Sequence, residues 1–525
     1  MGEKKDGCCC ACCTPMVTVG VLIFLGVVIA CLGAGSIPFF EDQYKEKVKE
    51  QLVLSKGNEA YKNWKNPPSP VYMQFFIFNY TNYEDVVNIN SKPNVTQHGP
   101  YSYREIRDNH IIDYNVNNIT YLQNYSYVFD PYTSCVDCSE EDYFFTPNIP
   151  ILTIGKKLHD AKITSNSSLA DIAGMEFLNL FLEKTFSDSW TLFKHLPVKK
   201  LLWGYTDPLL NDIVKLEEVI AKLPFHFDLP KISAFVALQH NGTDGAINTG
   251  NLTIDTGKQD INDVQKITRW KGKREVPCWL TDYGNMINGS DGSHTRPFLS
   301  RDDTVYVFTT DLYRSLFFKY EKDRTVKDIP LYRFSTTPEL FANHSVNPDN
   351  GAFCNKEKCW GSGLLPVGQC QVGDPPVFVS APHFYQGDPS LAAAINGLHP
   401  EESLHATHLD IEPITGVTMV AHKRLQINIL VQKTEYIKLM NKLQSEDNFL
   451  PVLWIHESAE IDQASADKFK KEVLHPRYIL NVVSYCVIGF GALVVLIALI
   501  VGVVHKSRKN TYSELNDDDD VPKIL

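Results

Sequence analysis

The sequence predicts an α+β protein in which one large lumenal or extracellular domain, rich in sheet, is held between two transmembrane helices, one near each terminus. Three observations predict it. Met16–Phe40 is a run of 25 residues without Asp, Glu, Lys, Arg or His, and Tyr478–Val504 is another of 27. All nine Asn-x-Ser/Thr sequons lie between these runs and none lies outside them. The intervening residues alternate apolar and polar in strand-like segments, with one helical stretch among them. Composition agrees: 525 residues, 44% hydrophobic and 21% charged, exclude a disordered or collagen-like chain. A net charge of -12 argues against nucleic acid as the main partner.

Residues 1–15 form a short N-terminal tail. Cys8, Cys9, Cys10, Cys12 and Cys13 crowd its membrane edge, where a thioester-linked palmitate can enter the adjacent bilayer. Gly2 suggests myristoylation, but Asp6 stands where that pattern wants Ser or Thr. The apolar run 16–40 exceeds the roughly 7 to 15 residues of a signal-peptide core, so it reads as an uncleaved anchor. Both runs surpass the roughly 20 apolar residues that cross a bilayer as helix. Two spans, 16–40 and 478–504, put both ends of the chain on one side. His505, Lys506, Arg508 and Lys509 follow the second span, whereas Glu41 and Asp42 follow the first, so positive-inside bias places both tails in the cytosol.

Residues 41–477 are then lumenal or extracellular and read as one domain, acidic at 44 Lys plus Arg against 55 Asp plus Glu. Its sequons begin at Asn79, Asn94, Asn118, Asn124, Asn166, Asn241, Asn251, Asn288 and Asn343. Strands are expected at Val71–Phe78, at Thr304–Phe308 and at Leu425–Val431, where Leu425, Ile427, Ile429 and Val431 share a face. A helix is expected from an N-cap at Ser168, with Asp171 three residues on, to about Phe186. Leu169, Ile172, Ala173, Phe177, Leu180 and Phe181 form its apolar face, and Met175, Leu178 and Leu182 form a second, so the helix either packs on two sides or is partly offered to a ligand. A second helical pattern runs from Leu209 to Leu223, making about 151–225 a helical insertion.

Six lumenal cysteines allow 15 pairings in an oxidising compartment. Spacing favours Cys135 with Cys138, Cys354 with Cys359, and Cys278 with Cys370. A redox or zinc role for Cys135-x-x-Cys138 lacks the second ligand pair or βαβ context it needs. The nearest approach to a catalytic constellation is His405-x-x-His408 with Asp410 and Glu412, which lacks the Glu and helix of a metalloprotease motif, and no GxSxG elbow exists. These histidines read as structural, and the chain as no enzyme, with no cofactor or metal.

Particular strings carry a resemblance. They are Gln74-Phe-Phe-Ile-Phe78, HGPYSYRE at His98–Glu105, LLWGYTDP at Leu201–Pro208, NPDN at Asn347–Asn350, HLDIEPITG at His408–Gly416, RLQINILV at Arg424–Val431 and PVLWIHE at Pro451–Glu457. In this order, between two spans, the chain resembles the class B scavenger receptor family, which includes a fatty-acid translocase and a lysosomal integral membrane protein. The resemblance implies an antiparallel β-barrel-like core, a helical bundle at the membrane-distal end, and a hydrophobic tunnel carrying lipid toward the bilayer. The bundle receives ligands in that family, namely lipids, lipoproteins or a lumenal hydrolase. Lys156, Lys157, His159 and Lys184 fall there and would supply positive charge to anionic head groups. The cysteines depart from the family pattern: Cys354, Cys359 and Cys370 match, but Leu312 aligns with a family cysteine while Cys278 stands elsewhere. The pairing of Cys278 with Cys370 is a compensating expectation.

The tail 505–525 carries sorting signals. Tyr512-Ser-Glu-Leu515 is a Tyr-x-x-apolar pattern, and Asp520 leads through three residues to Ile524 and Leu525, an acidic dileucine signal of the type clathrin adaptors read. The expected protein is a lysosomal or endosomal membrane scavenger receptor that binds lipid or lipoprotein and passes sterol, fatty acid or phospholipid to the membrane. A cell-surface scavenger or phagocytic receptor and a delivery receptor for a lysosomal enzyme are the alternatives. Homo-oligomerisation stays open, as does which histidines respond to acid.

Overall fold

The computed structural model describes residues 14–160, 168–185, 191–205, 247–248, 250–355, 358–433, 439–441 and 446–517. It divides into two compact units, one of Met1–Glu50 with Ala464–Leu525 and one of Gln51–Gln463.

The first unit is helical. Thr14–Leu52 and His475–Asp517 are long helices, the second preceded by Gln463–Phe469 and a π-helical turn at Lys470–Leu474. A helix satisfies every backbone group internally, the condition for crossing hydrocarbon. Only 11% of each apolar window is buried, the reverse of a soluble protein's core helix. The first helix continues past Phe40 to Leu52, as does the second before Tyr478. The helices approach through small residues. A Cβ on Gly26 would meet Val495 at 2.7 Å and the Gly491 carbonyl at 2.8 Å, and one on Gly491 would meet the Ala30 nitrogen at 2.6 Å. Ser36 donates to Ser484 Oγ at 2.9 Å, and Arg477 Nη2 lies 3.0 Å from Glu41 Oε1.

The second unit is built on a 13-stranded sheet, with a two-stranded ribbon beside it. The strands are β1 (Val71–Tyr80), β2 (Val95–Tyr114), β3 (Asn118–Phe129), β4 (Tyr143–Pro147), β5 (Phe193–Pro197), β6 (Ile247–Asn248), β7 (Leu252–Asp255) and β8 (Ile267–Trp270). They continue with β9 (Thr304–Thr309), β10 (Arg314–Val326), β11 (Ile329–Ser335), β12 (Val377–Ser380), β13 (His408–Ile411), β14 (Thr418–Gln432) and β15 (Asp447–Glu460). The order is β8-β7-β3-β2-β1-β15-β14-β13-β11-β10-β9, all antiparallel, with β12 also on β14 and β6 on β3. The edges β8 and β9 meet through Gly289–Ser290. Ile267 N donates to Gly289 O at 2.9 Å and Phe308 N to Ser290 O at 2.8 Å, so the sheet nearly closes into a barrel. Gly289 is required there: its φ is +89°, and a Cβ would collide with the Tyr306 carbonyl.

The expected strands form at β1, β9 and β14. The polar residues that alternate with Leu425, Ile427 and Ile429 do not face water: Gln426 and Asn428 are fully buried. Gln426 Nε2 donates to Asn428 Oδ1 at 2.7 Å, Asn428 Nδ2 to Ser380 Oγ at 3.0 Å, and His383 N to Gln426 Oε1 at 2.7 Å. Polar residues stay on this face because each finds a partner beneath the covering turn Pro382–Phe384.

The ribbon β4–β5 frames the helical head, whose helices span Ile149–Asp160 and Leu169–Thr185. Ser168 and Asp171 cap the latter reciprocally, Asp171 N donating to Ser168 Oγ at 3.2 Å and Ser168 N to Asp171 Oδ2 at 3.0 Å. Among the described residues this helix is covered on one of its two apolar faces. Met175, Leu178 and Leu182 are buried, while Leu169, Phe177 and Leu180 are exposed; periodicity finds apolar faces but does not say which one meets a core. The pattern at Leu209–Leu223 lies outside the described residues. Disulfides join Cys135 to Cys138, Cys278 to Cys370 and Cys354 to Cys359.

Candidate functional site

The side chains that line the inner face of β14, β15, β1, β2 and β3 follow from register. Lys423 stands opposite Glu457, Glu457 opposite Met73, Met73 opposite Tyr103, and Tyr103 opposite Phe129. One pair along, Leu425 opposes Ile455, and Ile455 opposes Phe75. In the other direction come Glu105 opposite Tyr127 and Arg107 opposite Tyr125. This face is therefore aromatic at one end and ionic at the other. Trp203, ending the short helix Val198–Trp203, packs edge-on to Tyr103 at 5.0 Å and stacks on Tyr127 at 5.3 Å.

The ionic end is a chain of alternating charge. Glu105 pairs with Arg107, Arg107 Nη2 reaches Glu457 Oε1 at 2.6 Å, Lys423 Nζ lies 3.1 Å from Glu457 Oε2, and Asp311 lies 3.4 Å from Lys423. Arg107 also sits over the Tyr125 ring at 5.3 Å. Burial would push Glu457 up, but Lys423 and Arg107 hold it down at about 2. Burial lowers Lys423, and Glu457 with Asp311 more than offset this and hold it above its ordinary value. Glu105 is pushed up by burial, which its Arg107 partner does not fully counter, and its Oε2 has no hydrogen-bond partner.

Beside this face the sheet wall is interrupted. β13 pairs with β14 as far as His422 and β12 begins pairing at Gln426, so among the described residues Lys423–Leu425 have no strand on that side. Thr407 fills the ladder: Arg424 N donates to its Oγ1 at 2.9 Å, and that hydroxyl donates to Arg424 O at 3.1 Å. At this interruption lies a small cavity of about 20 Å³, lined by Leu316, Leu340, Phe341 and Leu425 together with Lys423 and Arg424. Its lining sets apolar side chains beside two cations.

The other face of the same strands holds histidines. His422 Nδ1 and His456 Nε2 are 2.8 Å apart, the His408 ring is 4.8 Å from His422, and His405 stacks on His383 at 4.4 Å. Burial lowers all of them, His383, His408 and His456 to about 3 and His405 and His422 to about 4; His294, elsewhere in the domain, is lowered to about 4. The residues of the HATH constellation serve structure. Glu401 N donates to His405 Nδ1 at 2.8 Å, Asp410 takes a two-pronged contact from Arg333 at 2.6 and 2.8 Å, and Glu412 accepts from Thr415 N at 2.8 Å. Among the described residues the one cluster with metal-binding spacing is His344 with Cys354 and Cys359, whose sulfurs are joined in a disulfide.

The sequence-derived sites are dispersed. In the head, Lys156 lies 2.8 Å from Asp160 and 2.6 Å from Asp374, which also contacts Lys157 at 3.3 Å, so this basic cluster is partly neutralised. His159 is half-buried and Lys184 is exposed on the last turn of its helix. Asn94 is exposed; Asn79, Asn118, Asn124, Asn251, Asn288 and Asn343 are half-buried, and Asn79 Oδ1 accepts from Phe145 N at 2.9 Å. Asn166, Asn241, Cys8, Cys9, Cys10, Cys12, Cys13, Asp520, Ile524 and Leu525 lie outside the described residues, while Tyr512 and Leu515 fall in the last turns of the C-terminal helix. Sequence reasoning missed Glu105, Arg107, Asp311, Lys423 and Glu457 as a set. The available signal was charge at inward positions of strands that are otherwise apolar and aromatic.

Comparison with known proteins gives a consistent result. The family model described as the CD36 family matches residues 22–502. Lysosome membrane protein 2 of Homo sapiens is 34% identical over 460 residues, 86% of this chain and 87% of the relative, and that of Mus musculus is 32% identical over the same shares. Scavenger receptor class B member 1 of Rattus norvegicus is 31% identical over 479 residues, 91% of this chain and 87% of the relative.

Proposed function

The chain belongs to the CD36 family, and from that premise we propose that it is a two-span scavenger receptor of lysosomal or endosomal membranes that binds lipid or lipoprotein and passes lipid through its lumenal domain. The observation that carries this reading is the opening at the break in the barrel wall, where Leu316, Leu340, Phe341 and Leu425 line a space beside Lys423 and Arg424. An acyl chain or sterol leaving a particle exposes about 0.8 kcal/mol per CH₂ to water, so a covered apolar route removes most of that barrier. No covalent step is involved. The names of the lysosomal relatives and the Asp520–Leu525 signal support an endosomal destination, reached through clathrin adaptors. In this reading residues 1–15 and 505–525 are cytosolic, the domain between the spans is lumenal and glycosylated, and the N-terminal cysteines are palmitoylated.

The test is mass spectrometry of lipids extracted from the purified full-length chain and from Leu425→Trp, which fills the cavity. Sterol, fatty acid or phospholipid bound to the wild type and depleted in the variant is the expected result. Equal lipid in both, with equal uptake of added lipid, would refute the reading. A second reading, delivery of a lumenal hydrolase, draws on the exposed Leu169, Phe177 and Leu180 of the head helix. Capture of an acid hydrolase that is lost in Leu180→Glu, with lipid content unchanged, would favour it.

A further inference from the structure

Arg314 begins β10 and is only 2% exposed. Its guanidinium lies over the Phe353 ring at 3.6 Å and near the Phe341 ring at 5.8 Å. Its hydrogen bonds go to two backbone carbonyls, Leu340 O and Ser315 O, both at 3.4 Å, the long end of the range. Among the described residues no carboxylate pairs with it, and burial pushes the guanidinium down to about 9, with only the Tyr283 phenol acting against that. A buried cation without an anion is costly, and proteins ordinarily pair one.

The space beside Arg314 repeats the deficiency. A small cavity of about 20 Å³ is lined by Arg314, His344, Asn350, Trp360 and the Cys354–Cys359 disulfide. Trp360 Nε1 is buried there and donates to nothing, and Asn350 Oδ1 accepts from nothing. Arg314 lacks an anion and Trp360 Nε1 lacks an acceptor, and both residues line one chamber.

We propose that this chamber binds a small monovalent anion, a halide or a carboxylate, between the Arg314 guanidinium and the Trp360 indole N–H. One unpaired cation matches one negative charge; a phosphate dianion would bring a second into a wall of Leu340, Phe341 and Leu364. A water accompanying the anion would serve Asn350 Oδ1, and His344, exposed at the rim, is placed to admit both. Leu340 and Phe341 also line the cavity at the strand interruption, so a carboxylate can come from solution or, on the function proposed above, from an acyl chain bound beside it.

The test uses the purified full-length chain in detergent at fixed pH and ionic strength, exchanging gluconate, too bulky for the chamber, for chloride, bromide, acetate or octanoate. Thermal midpoint and bromide quenching of tryptophan fluorescence are read. The expected result is a saturable rise in midpoint with bromide, a quenching component absent from Trp360→Phe, and at least a 10-fold weaker bromide response in Arg314→Gln. Octanoate displacing bromide at concentrations where acetate does not would assign the site to an acyl carboxylate, and equal competition by chloride and acetate would assign it to solution anions. Identical midpoints and fluorescence in every salt would overturn the proposal, and so would an unchanged bromide response in Trp360→Phe, which stands even if Arg314→Gln does not fold. Glu357 lies outside the described residues; a Glu357→Gln chain that is destabilised in gluconate and not rescued by bromide would identify the counter-charge as the protein's own and end the proposal.

Discussion

Replacing His294 with Gln will flatten the loss of stability that the chain suffers on acidification. His294 is 6% exposed, and its Nδ1 is buried without a partner. It sits in a turn where Ser290 Oγ donates to the His294 carbonyl and where the residue bridges to Val417. Burial lowers it to about 4; the nearby Asp291 and the Thr295 backbone push the other way without restoring it. An unfolded histidine titrates near 6.5, so as pH falls the unfolded state takes up this proton first. The stability is present above about 6.5 and is lost as pH falls toward the folded value of about 4. Between pH 7.5 and 5.0 the linkage amounts to about 2 kcal/mol from this one residue. The assay is urea unfolding of the detergent-solubilised chain at both pH values, followed by tryptophan fluorescence. The wild type should lose about 2 kcal/mol more than His294→Gln over that interval. Any static effect of the substitution cancels, because only the difference between pH values is read. Equal losses would refute the assignment of a buried neutral imidazole.

Three further outcomes are expected. Lys423→Met leaves the half-buried Glu457 with Arg107 as its remaining cation and should cost about 2 kcal/mol in urea unfolding, whereas the joint replacement Lys423→Met with Glu457→Leu should recover most of it; a pair of equal losses would show that the ionic chain is not coupled. Gly289→Val places a side chain against the Tyr306 carbonyl at φ +89° and should raise hydrogen exchange at Ile267 and Phe308, the two amides that close the barrel; unchanged protection there would mean that the edges hold without this turn. Cys278→Ser opens a link between residues 92 apart and should lower stability by about 4 kcal/mol under oxidising conditions, a difference that a reductant abolishes.

The spans, the sheet segments and the capped helix at Ser168 were legible because each depends on a local rule: uninterrupted apolar length, period two, or a side-chain oxygen three residues from its acceptor. The inner ionic chain was not. Arg107 and Glu457 are 350 residues apart in the chain, and neither looks unusual in its own strand until the register of β1 between β2 and β15 brings them together. The burial of Gln426 and Asn428 was not legible for a related reason. Alternation assigns polar residues to water by default, and only the covering turn and Ser380, supplied from another part of the chain, make burial affordable. The orientation of the head helix failed at a third level: two apolar stripes were visible, and the choice between them depends on what packs beneath.

The ionic chain bears directly on what kind of lipid such an interior tolerates. Glu105, Arg107, Glu457, Lys423 and Asp311 carry two positive and three negative charges, and every cation is already shared by two carboxylates. A fatty-acid carboxylate arriving at Lys423 must therefore compete with Glu457, whose depressed titration shows how strongly it is held. A sterol hydroxyl or an ester carbonyl makes no such demand, since it hydrogen-bonds without displacing an ion pair. Burial of unpaired charge is the larger energy here, so if lipid takes the proposed route, the ionic end should favour neutral lipids over carboxylates. Acidification alters this balance at Glu105 first, because burial has already raised it. Protonating Glu105 releases Arg107 from one of its two carboxylates and leaves the guanidinium available to an anionic head group. Glu105→Gln should produce that state at neutral pH, and it should raise the ratio of fatty acid to sterol recovered with the purified chain. An unchanged ratio would show that the ionic end takes no part in selecting lipid.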